Sequence, residues 1–349
     1  MFKPLIRNVT TGKELLWRSI KLKKSLDEIC HSLELEIPPS ERQKVRRHHR
    51  LEIRCKNNLV NDSNGERLVS TVLIDEITST ASADKHSIMV IGRSPARDII
   101  DSKWSDYDYE DDEERFDYSE PTLRALIRHI GGKFDINCYT FPADQPDDPT
   151  ESVNYFAFEN ESPWTKLIDE ADQQGYILTS NEDGNLYLWK VHGVVRWPFH
   201  ITEGVNIKNI KWTENGSEQF NKYLVKGGAW DPVCIIDNTC PGNRILSIDI
   251  TDPYVALTEL ERRAETEMRR RREVRTVVTV SGWGLTDEQI KSLGNTKGQE
   301  IYWVPNSLIP VKVPALGLNA NLLISEVEYL ANAETASCDI TLVNREMYL

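Results

Sequence analysis

Short apolar runs with a period of two dominate both ends of the chain, and this spacing constrains the fold more than any other feature. In "SLELEI" (32–37), Leu33, Leu35 and Ile37 fall on one face; in "RLEIRC" (50–55), Leu51, Ile53 and Cys55 do the same. Successive side chains of a strand point to opposite faces, so such runs predict half-buried strands. "RLVSTVLIDEIT" (67–78), after the turn-rich "NDSNGE" (61–66), and "HSIMVIG" (86–92) extend the series. Several strands between polar turns imply a small barrel or sandwich over 1–104.

The period changes after residue 118. Ser119-Glu120-Pro121 opens a predicted helix, in which Leu123, Leu126, Ile127 and Ile130 share one face and Gly131-Gly132 marks the end. Ser162-Pro163 opens a second, with Trp164, Leu167, Ile168 and Ala171 as its buried stripe and Gly175 as its stop. "YILTS" and "LYLWK" flank "NEDGN", a hairpin signal, so 118–200 reads as an α/β domain. Strands return from 201: "VNIKNIKW", "NKYLVKG", "RILSIDI", "VRTVVTVSGW", "QEIYWV", "SLIPVKV", "NLLISEVEYL" and "CDITLVN". A helix over 252–273 interrupts them, with Asp252 as N-cap and Pro253 at its first position. Leu257, Leu260, Ala264 and Met268 form its apolar side; Glu259 and Glu261 come early and Arg269, Arg270, Arg271 and Arg272 late, which suits the helix dipole. The region 201–349 is therefore a second β-rich domain with a helical insertion, and the chain is α+β, mainly β. "SIMVIGRS" and "VVTVSGWG" echo one another, but two strands ending in Gly do not establish a duplication.

At 349 residues the chain has room for two or three domains of roughly 100–200 residues each. Its 42 Lys and Arg stand against 55 Asp and Glu, a net charge of −13. Proteins that grip nucleic acid neutralise phosphates with a basic surface, so specific DNA binding is disfavoured. The six cysteines include no CxxC and read as reduced thiols. Cys234 and Cys240 are the only close pair, with no His or second pair beside them for a metal. The start has no apolar segment of a signal peptide, and no run of about 18 apolar residues exists, so no membrane insertion is expected.

The usual signatures of catalysis and phosphate binding are missing: GxSxG, HExxH, GxGxxG after a strand and GxxxxGK[ST]. No catalytic, cofactor-binding or metal residues are assigned, and no cofactor is expected. His48-His49 point to opposite faces of a strand and suit no shared metal. Asp111-Asp112-Glu113-Glu114 lacks the spaced ligands of a calcium loop. Positions 106–120 hold nine acids and one Arg, interleaved with Tyr107, Tyr109, Phe116 and Tyr118. The segment 105–117 reads either as a solvated linker or as a docking loop for a basic partner. The basic stretch Arg42, Lys44, Arg46, Arg47, Arg50, Arg54 and Lys56 reads as a nucleic-acid contact or as an intersubunit face for that acidic loop. Arg269–Arg272 reads as dipole complement on a solvated face. The nine tryptophans read mostly as core or interface anchors.

"VIGRSPARDIIDSKW" (90–104), with Gly92, Arg93, Ser94, Asp98, Ile99, Ile100 and Asp101, resembles the end of the first barrel in baseplate hub proteins of Mu-like contractile-tailed phages and prophages, the late-control tail hub family. "FENESPWTKLIDEADQQGYILTSNEDGNLYLWK" (158–190), "FNKYLVKGG" (220–228), "DPYVALTELERRAETEMRRRREVRTVVTVSGW" (252–283) and "NLLISEVEYLANAETASCDITLVN" (321–344) follow the family's order along nearly the whole chain. The resemblance implies two tail-tube-like β-barrels per subunit and a homotrimeric ring. It implies a structural, non-enzymatic hub joining tail tube proteins to the central spike protein beside other baseplate proteins, with DNA passing through without specific binding. It places the protein in the virion tail baseplate, assembled in the host bacterial cytoplasm. Two alternatives stay open. One is a tail-associated wall-degrading or carbohydrate-binding protein, for which the many Trp and acidic residues speak. The other is the hub part of a contractile secretion spike, although the chain ends at Leu349, just after the last strand, where a spike extension would begin.

Overall fold

In a computed structural model, the described residues are 3–57, 65–82, 86–105, 122–141, 153, 159–190, 195–197, 199–250, 255–272, 274–293 and 301–348. The alternating runs form strands as their spacing predicts. Leu33, Leu35 and Ile37 of strand Ser32–Ile37 are buried, as are Leu51, Ile53 and Cys55 of strand Arg50–Lys56. Burying such side chains stabilises by about 1.5–3 kcal/mol each.

Among the described residues, fourteen strands form one sheet that draws on both ends of the chain. The link is an antiparallel pairing of Ser19–Ser25 with Leu318–Asn332, which sets Leu22 against Tyr329. Both side chains are fully buried in a core that continues from Ile6 to Leu342. Around Tyr329 the aromatic groups are also hydrogen-bonded. Its hydroxyl donates to the Trp303 carbonyl, and Trp283 Nε1 donates to the Leu330 carbonyl at 2.9 Å. The Trp283 and Tyr329 rings lie 5.1 Å apart, and Trp197 stacks on Trp303 at 4.5 Å.

A five-strand unit occurs twice in this sheet. The first comprises Ser19–Ser25, Ser32–Ile37, Arg50–Lys56, Glu66–Ala81 and His86–Arg93; the second comprises Ile207–Glu214, Val274–Ser281, Ser307–Val313, Leu318–Asn332 and Ala336–Val343. In both, the spatial order is first, second, fifth, fourth, third, with antiparallel neighbours. The long fourth strands share an irregularity at matching places, between Ile74 and Glu76 and between Ile324 and Glu326. The echo of "SIMVIGRS" and "VVTVSGWG" joins strands that are not equivalent: Val274–Ser281 takes the place of Ser32–Ile37. The matching sequence is "LIDEI" (73–77) against "LISEV" (323–327).

Five α-helices are described: α1 (Arg97–Asp101), α2 (Leu123–Lys133), α3 (Pro163–Gln173), α4 (Leu257–Arg271) and α5 (Asp287–Leu293). The first three pack with strands Cys138–Phe141, Ile177–Ser180 and Leu186–Trp189 around a core of their own, including Ile99, Leu126, Ile130, Leu167, Leu178 and Leu188. Ser162 caps α3 by accepting from the Trp164 N–H at 3.3 Å. The hairpin at "NEDGN" forms as its turn residues predict, with Gly184 at φ 88°. A small sheet, Val233–Ile236, Lys222–Gly227 and Ile245–Ile250, buries its inner face against α4.

Three local expectations are corrected. Gly131-Gly132 does not end α2, which runs on to Lys133; Gly131 is needed because a Cβ there would sit 2.6 Å from the Ile136 carbonyl oxygen. The α4 helix begins at Leu257, not at Asp252-Pro253: Ala256 is its N-cap, and Glu259 turns back to accept the Ala256 N–H at 2.8 Å. "QEIYWV" forms no strand among the described residues. Its aromatic residues are buried, and a single bridge joins Gly284 to Tyr302, where a Cβ on Gly284 would collide with the Ile301 backbone. Residues 61–64, 106–121 and 251–254, which carry the turn signal, the acidic segment, the Ser119-Glu120-Pro121 helix start and Asp252-Pro253, lie outside the described residues. For α2, Thr122 serves as N-cap and accepts from the Ala125 N–H at 3.2 Å. No helix of the described residues is long and apolar enough to cross a membrane.

Removing Leu22 tests the central pairing. Leu22→Ala is expected to cost about 2–5 kcal/mol in urea unfolding, whereas Leu16→Ala, at an exposed site, is expected to stay within about 0.5 kcal/mol.

Candidate assembly site

The segment "GRSPARDIID" sits where the first five-strand unit meets the α/β region. Gly92 ends its strand against the Leu73 carbonyl, which a Cβ would approach to 2.6 Å. The strand irregularity opposite leaves Asp75 to receive two guanidinium groups. Arg93 Nε donates to Asp75 at 2.8 Å, and the buried Arg97 donates to the same carboxylate. Arg93 also reaches Asp101 at 2.6 Å. These charge-assisted bonds hold the Asp101 carboxyl below its usual range and raise Arg93 further.

Behind this cluster lies a neutral tie. The His31 ring is buried between the Ser70 hydroxyl, 2.8 Å from Nδ1, and the Ser180 carbonyl, 3.1 Å from Nε2. Burial, and then the nearby Lys24 charge, push its pKa well below the usual value, so the ring is neutral. A carbonyl only accepts, so Nε2 carries the proton and Nδ1 accepts from Ser70. The buried Ser94 hydroxyl accepts the His31 N–H at 3.2 Å and lies 3.2 Å from the Ser180 hydroxyl. The ring therefore fastens the first unit to the hairpin at 177–189. Among the described residues it has no acid partner, and it acts as a strut.

Further along the chain, α4 is clamped to α3 and to the small sheet. Arg270 makes a two-pronged contact with Asp172 at 2.8 and 3.0 Å, and Arg262 donates to the Gln173 carbonyl. Arg272 donates to the buried Asp237 at 2.7 Å. Asp237 also accepts from the Thr239 N–H and hydroxyl at 2.8 and 2.6 Å and from the Gln219 amide at 3.0 Å. Burial alone would raise Asp237; Arg272, Thr239 and Gln219 outweigh it and hold the carboxyl well below the usual range. Arg269 pairs with Glu265 at 2.8 Å and Arg271 with Glu267 at 3.1 Å. The run Arg269–Arg272 is thus no free solvated face: each of its four guanidiniums has a carboxylate, and Arg270, Arg271 and Arg272 each meet one outside α4.

The remaining singled-out residues are not brought together. His48 Nδ1 lies 3.3 Å from Arg97, and His49 Nδ1 2.9 Å from the Asn8 amide. Among the described residues no group of three or more His, Cys, Asp or Glu side chains could hold a metal. Cys234 is exposed, Cys240 is buried, and both are free thiols. Most of the basic stretch is tied down within the chain. Lys44 meets Glu41 at 2.8 Å, Arg54 meets Glu52 at 2.8 Å and Lys56 meets Glu66 at 3.7 Å. Arg42 donates to the Val45 carbonyl and Arg50 to that of Asp183. Arg46 and Arg47 are exposed and have no ion-pair partner among the described residues. Trp197, Trp283 and Trp303 are core; Trp212 and Trp230 are exposed.

Asp75, His31, Ser180, Asp172 and Asp237 carry these contacts and were not singled out in the sequence. One signal was available: Asp75 interrupts an apolar run in "VLIDEI", where an unpaired acid would be costly.

The whole architecture recurs in solved structures. The 43 kDa tail protein of prophage MuSo2 from Shewanella oneidensis superposes with a TM-score of 0.77 at 18% identity, covering 99% of each chain. A tail protein from Neisseria meningitidis MC58 gives 0.76 at 13% identity, covering 99% of this chain and 98% of that one. This chain has the fold of these tail proteins. An E. coli component of the type VI secretion system (c3393), described as structurally similar to the T4 bacteriophage tail proteins gp27 and gp5, gives 0.55 at 8% identity, covering 97% of this chain and 76% of that one. No family model and no curated protein matches the sequence. The tail-protein fold is thus retained although few residues are shared.

The Asp237 clamp makes stability depend on pH. An unfolded Asp titrates near 3.9 and the folded one lower. The contribution is therefore complete above about pH 4 and is lost as pH falls through the folded value. Asp237→Asn is expected to lower stability at neutral pH by about 1.5–3 kcal/mol and to flatten the acid decline, as read from urea midpoints across pH.

Proposed function

We propose that this chain is a structural tail protein, the hub of a Mu-like contractile-tail baseplate, and that it catalyses no reaction. The observation that supports it most is the end-to-end likeness to two tail proteins, one of them from a prophage, with 99% of this chain covered in both. The resemblance of "GRSPARDIID" and the later motifs to the hub family points the same way. The segments 1–104 and 201–349 are read as two tube-like barrels. The segment 105–117 is read as an acidic linker, and 118–200 as the α/β domain between them. The repeated five-strand unit supports the two-barrel reading, since a subunit with two similar units lets three copies present six to a sixfold tube.

In this role the homotrimer meets tail tube proteins on one side and the central spike protein on the other, among other baseplate proteins in the virion tail. It assembles in the host cytoplasm. The net charge of −13 suits a conduit through which DNA passes without specific binding, because a negative wall repels phosphates. A second reading, the hub part of a contractile secretion spike, is favoured by the shared fold of the type VI component. Tail genes or secretion genes beside the coding sequence distinguish the two.

Light scattering at low salt is expected to give three times 40.1 kDa, with rings visible by negative-stain microscopy. A stable monomer at micromolar concentration, with no rings, would overturn the hub.

A further inference from the structure

We infer that copies of this chain join edge to edge, strand Ile207–Glu214 of one pairing antiparallel with the outer half of strand Glu66–Ala81 in the next. The inference rests on the hub reading and names the contact that would build its ring.

It follows from a contact made once inside the chain and left unmade at both ends. In the second five-strand unit, the fourth strand passes its irregularity at Ile324–Glu326, and beyond it Glu326–Asn332 pairs with Ser19–Ser25. That partner is the first strand of the first unit. In the first unit, the fourth strand passes the same irregularity at Ile74–Glu76. Its earlier half is covered by Arg50–Lys56, but beyond the irregularity the described partners of Glu76–Ala81 lie only in His86–Ile91. Among the described residues its other edge has no partner strand, and Glu76 and Thr78–Ala81 are exposed. The missing partner would be the first strand of a second unit, Ile207–Glu214. That strand pairs only with Val274–Val280 among the described residues, so its outer edge is open too. An open edge is a template for another strand. Two different open edges on one chain give a head-to-tail contact, which closes into a ring when the rotation allows.

The ladder pairs fix the register. In the first unit Ile74 pairs with Gly92, Gly92 with Leu33 and Leu33 with Leu22. In the second, Ile324 pairs with Leu342, Leu342 with Thr276 and Thr276 with Trp212. Trp212 therefore holds the place of Leu22, and Ser79, five residues after Ile74, holds that of Tyr329. Inside the chain Tyr329 faces Leu22 and both are fully buried. Between copies Ser79 would face Trp212, which is 47% exposed in the single chain. A large residue opposite a medium one is replaced by a small residue opposite a larger one, so the pair still fills the space. The two ion pairs of the internal contact, Lys21–Glu328 and Lys23–Glu326, become Lys211–Thr78 and Thr213–Glu76, each able to form a hydrogen bond. The internal contact specifies a second copy as occupant, because both halves and the register come from this chain.

Disulfide trapping tests the register. In a Cys234→Ser background, Thr78→Cys and Thr213→Cys fall opposite each other across the contact. The double variant, oxidised and run without reductant, is expected to give a ladder of covalent oligomers ending at a closed ring, and each single variant none. Trp212→Asp is expected to abolish assembly while leaving the circular dichroism spectrum unchanged. Rings without a cross-link, or rings that survive Trp212→Asp, would overturn the inference and leave the hub standing. A parent chain that stays monomeric in light scattering would remove the hub reading and this contact with it.

Discussion

The pairing of Ser19–Ser25 with Leu318–Asn332 holds the rest of the structure in place. It joins segments from opposite ends of the chain, and without it the large sheet would fall into two pieces. Closing so long a loop costs only slowly more entropy with length, and packing supplies the compensation. Leu22, Val327 and Tyr329 are buried on the inner face, while Lys21–Glu328 and Lys23–Glu326 pair on the outer one. Such partly exposed ion pairs contribute little energy. Together with the buried face they fix the register, because a slip of one residue would put Leu22 outside and Lys21 inside.

The α/β region is attached differently. It has its own apolar core and meets the sheet through polar ties: Arg93 and Arg97 on Asp75, His31 between Ser70 and Ser180, and Arg270 on Asp172. A neutral His and paired charges orient more than they stabilise, because desolvating each charge offsets much of its attraction. On the hub proposal, orientation is what a rigid ring component requires. The internal repeat then has a mechanical sense, since the same strand-to-strand contact serves within the chain and, on our proposal, between copies.

Much of the fold was legible in the sequence. The period of two at 32–37 and 50–55 placed side chains on the correct faces, Ser162-Pro163 marked the start of α3, and "NEDGN" marked the hairpin. Each of these signals is local. The errors came where a tertiary contact overrode a local preference. Gly131-Gly132 has the composition of a stop, yet the glycine is there to admit the Ile136 carbonyl. "QEIYWV" has the composition of a strand, yet it is a buried aromatic segment beside Gly284. The repeat was hidden because equivalence lies in strand order, and only "LIDEI" and "LISEV" retain a trace of it.

Of the candidate site, the sequence marked one half. "GRSPARDIID" was visible as a motif, but Asp75, which receives its two arginines, was not. The sequence by itself determined which faces are buried, the β-rich ends, the α/β middle and the acidic charge. These follow from periodicity and composition, which act over a few residues. Only the tertiary structure decided which charges meet, that both ends share one sheet, and that, among the described residues, Ile207–Glu214 and Glu76–Ala81 each leave an edge without a partner strand. Those depend on distances between residues far apart in the chain, and no local pattern encodes them.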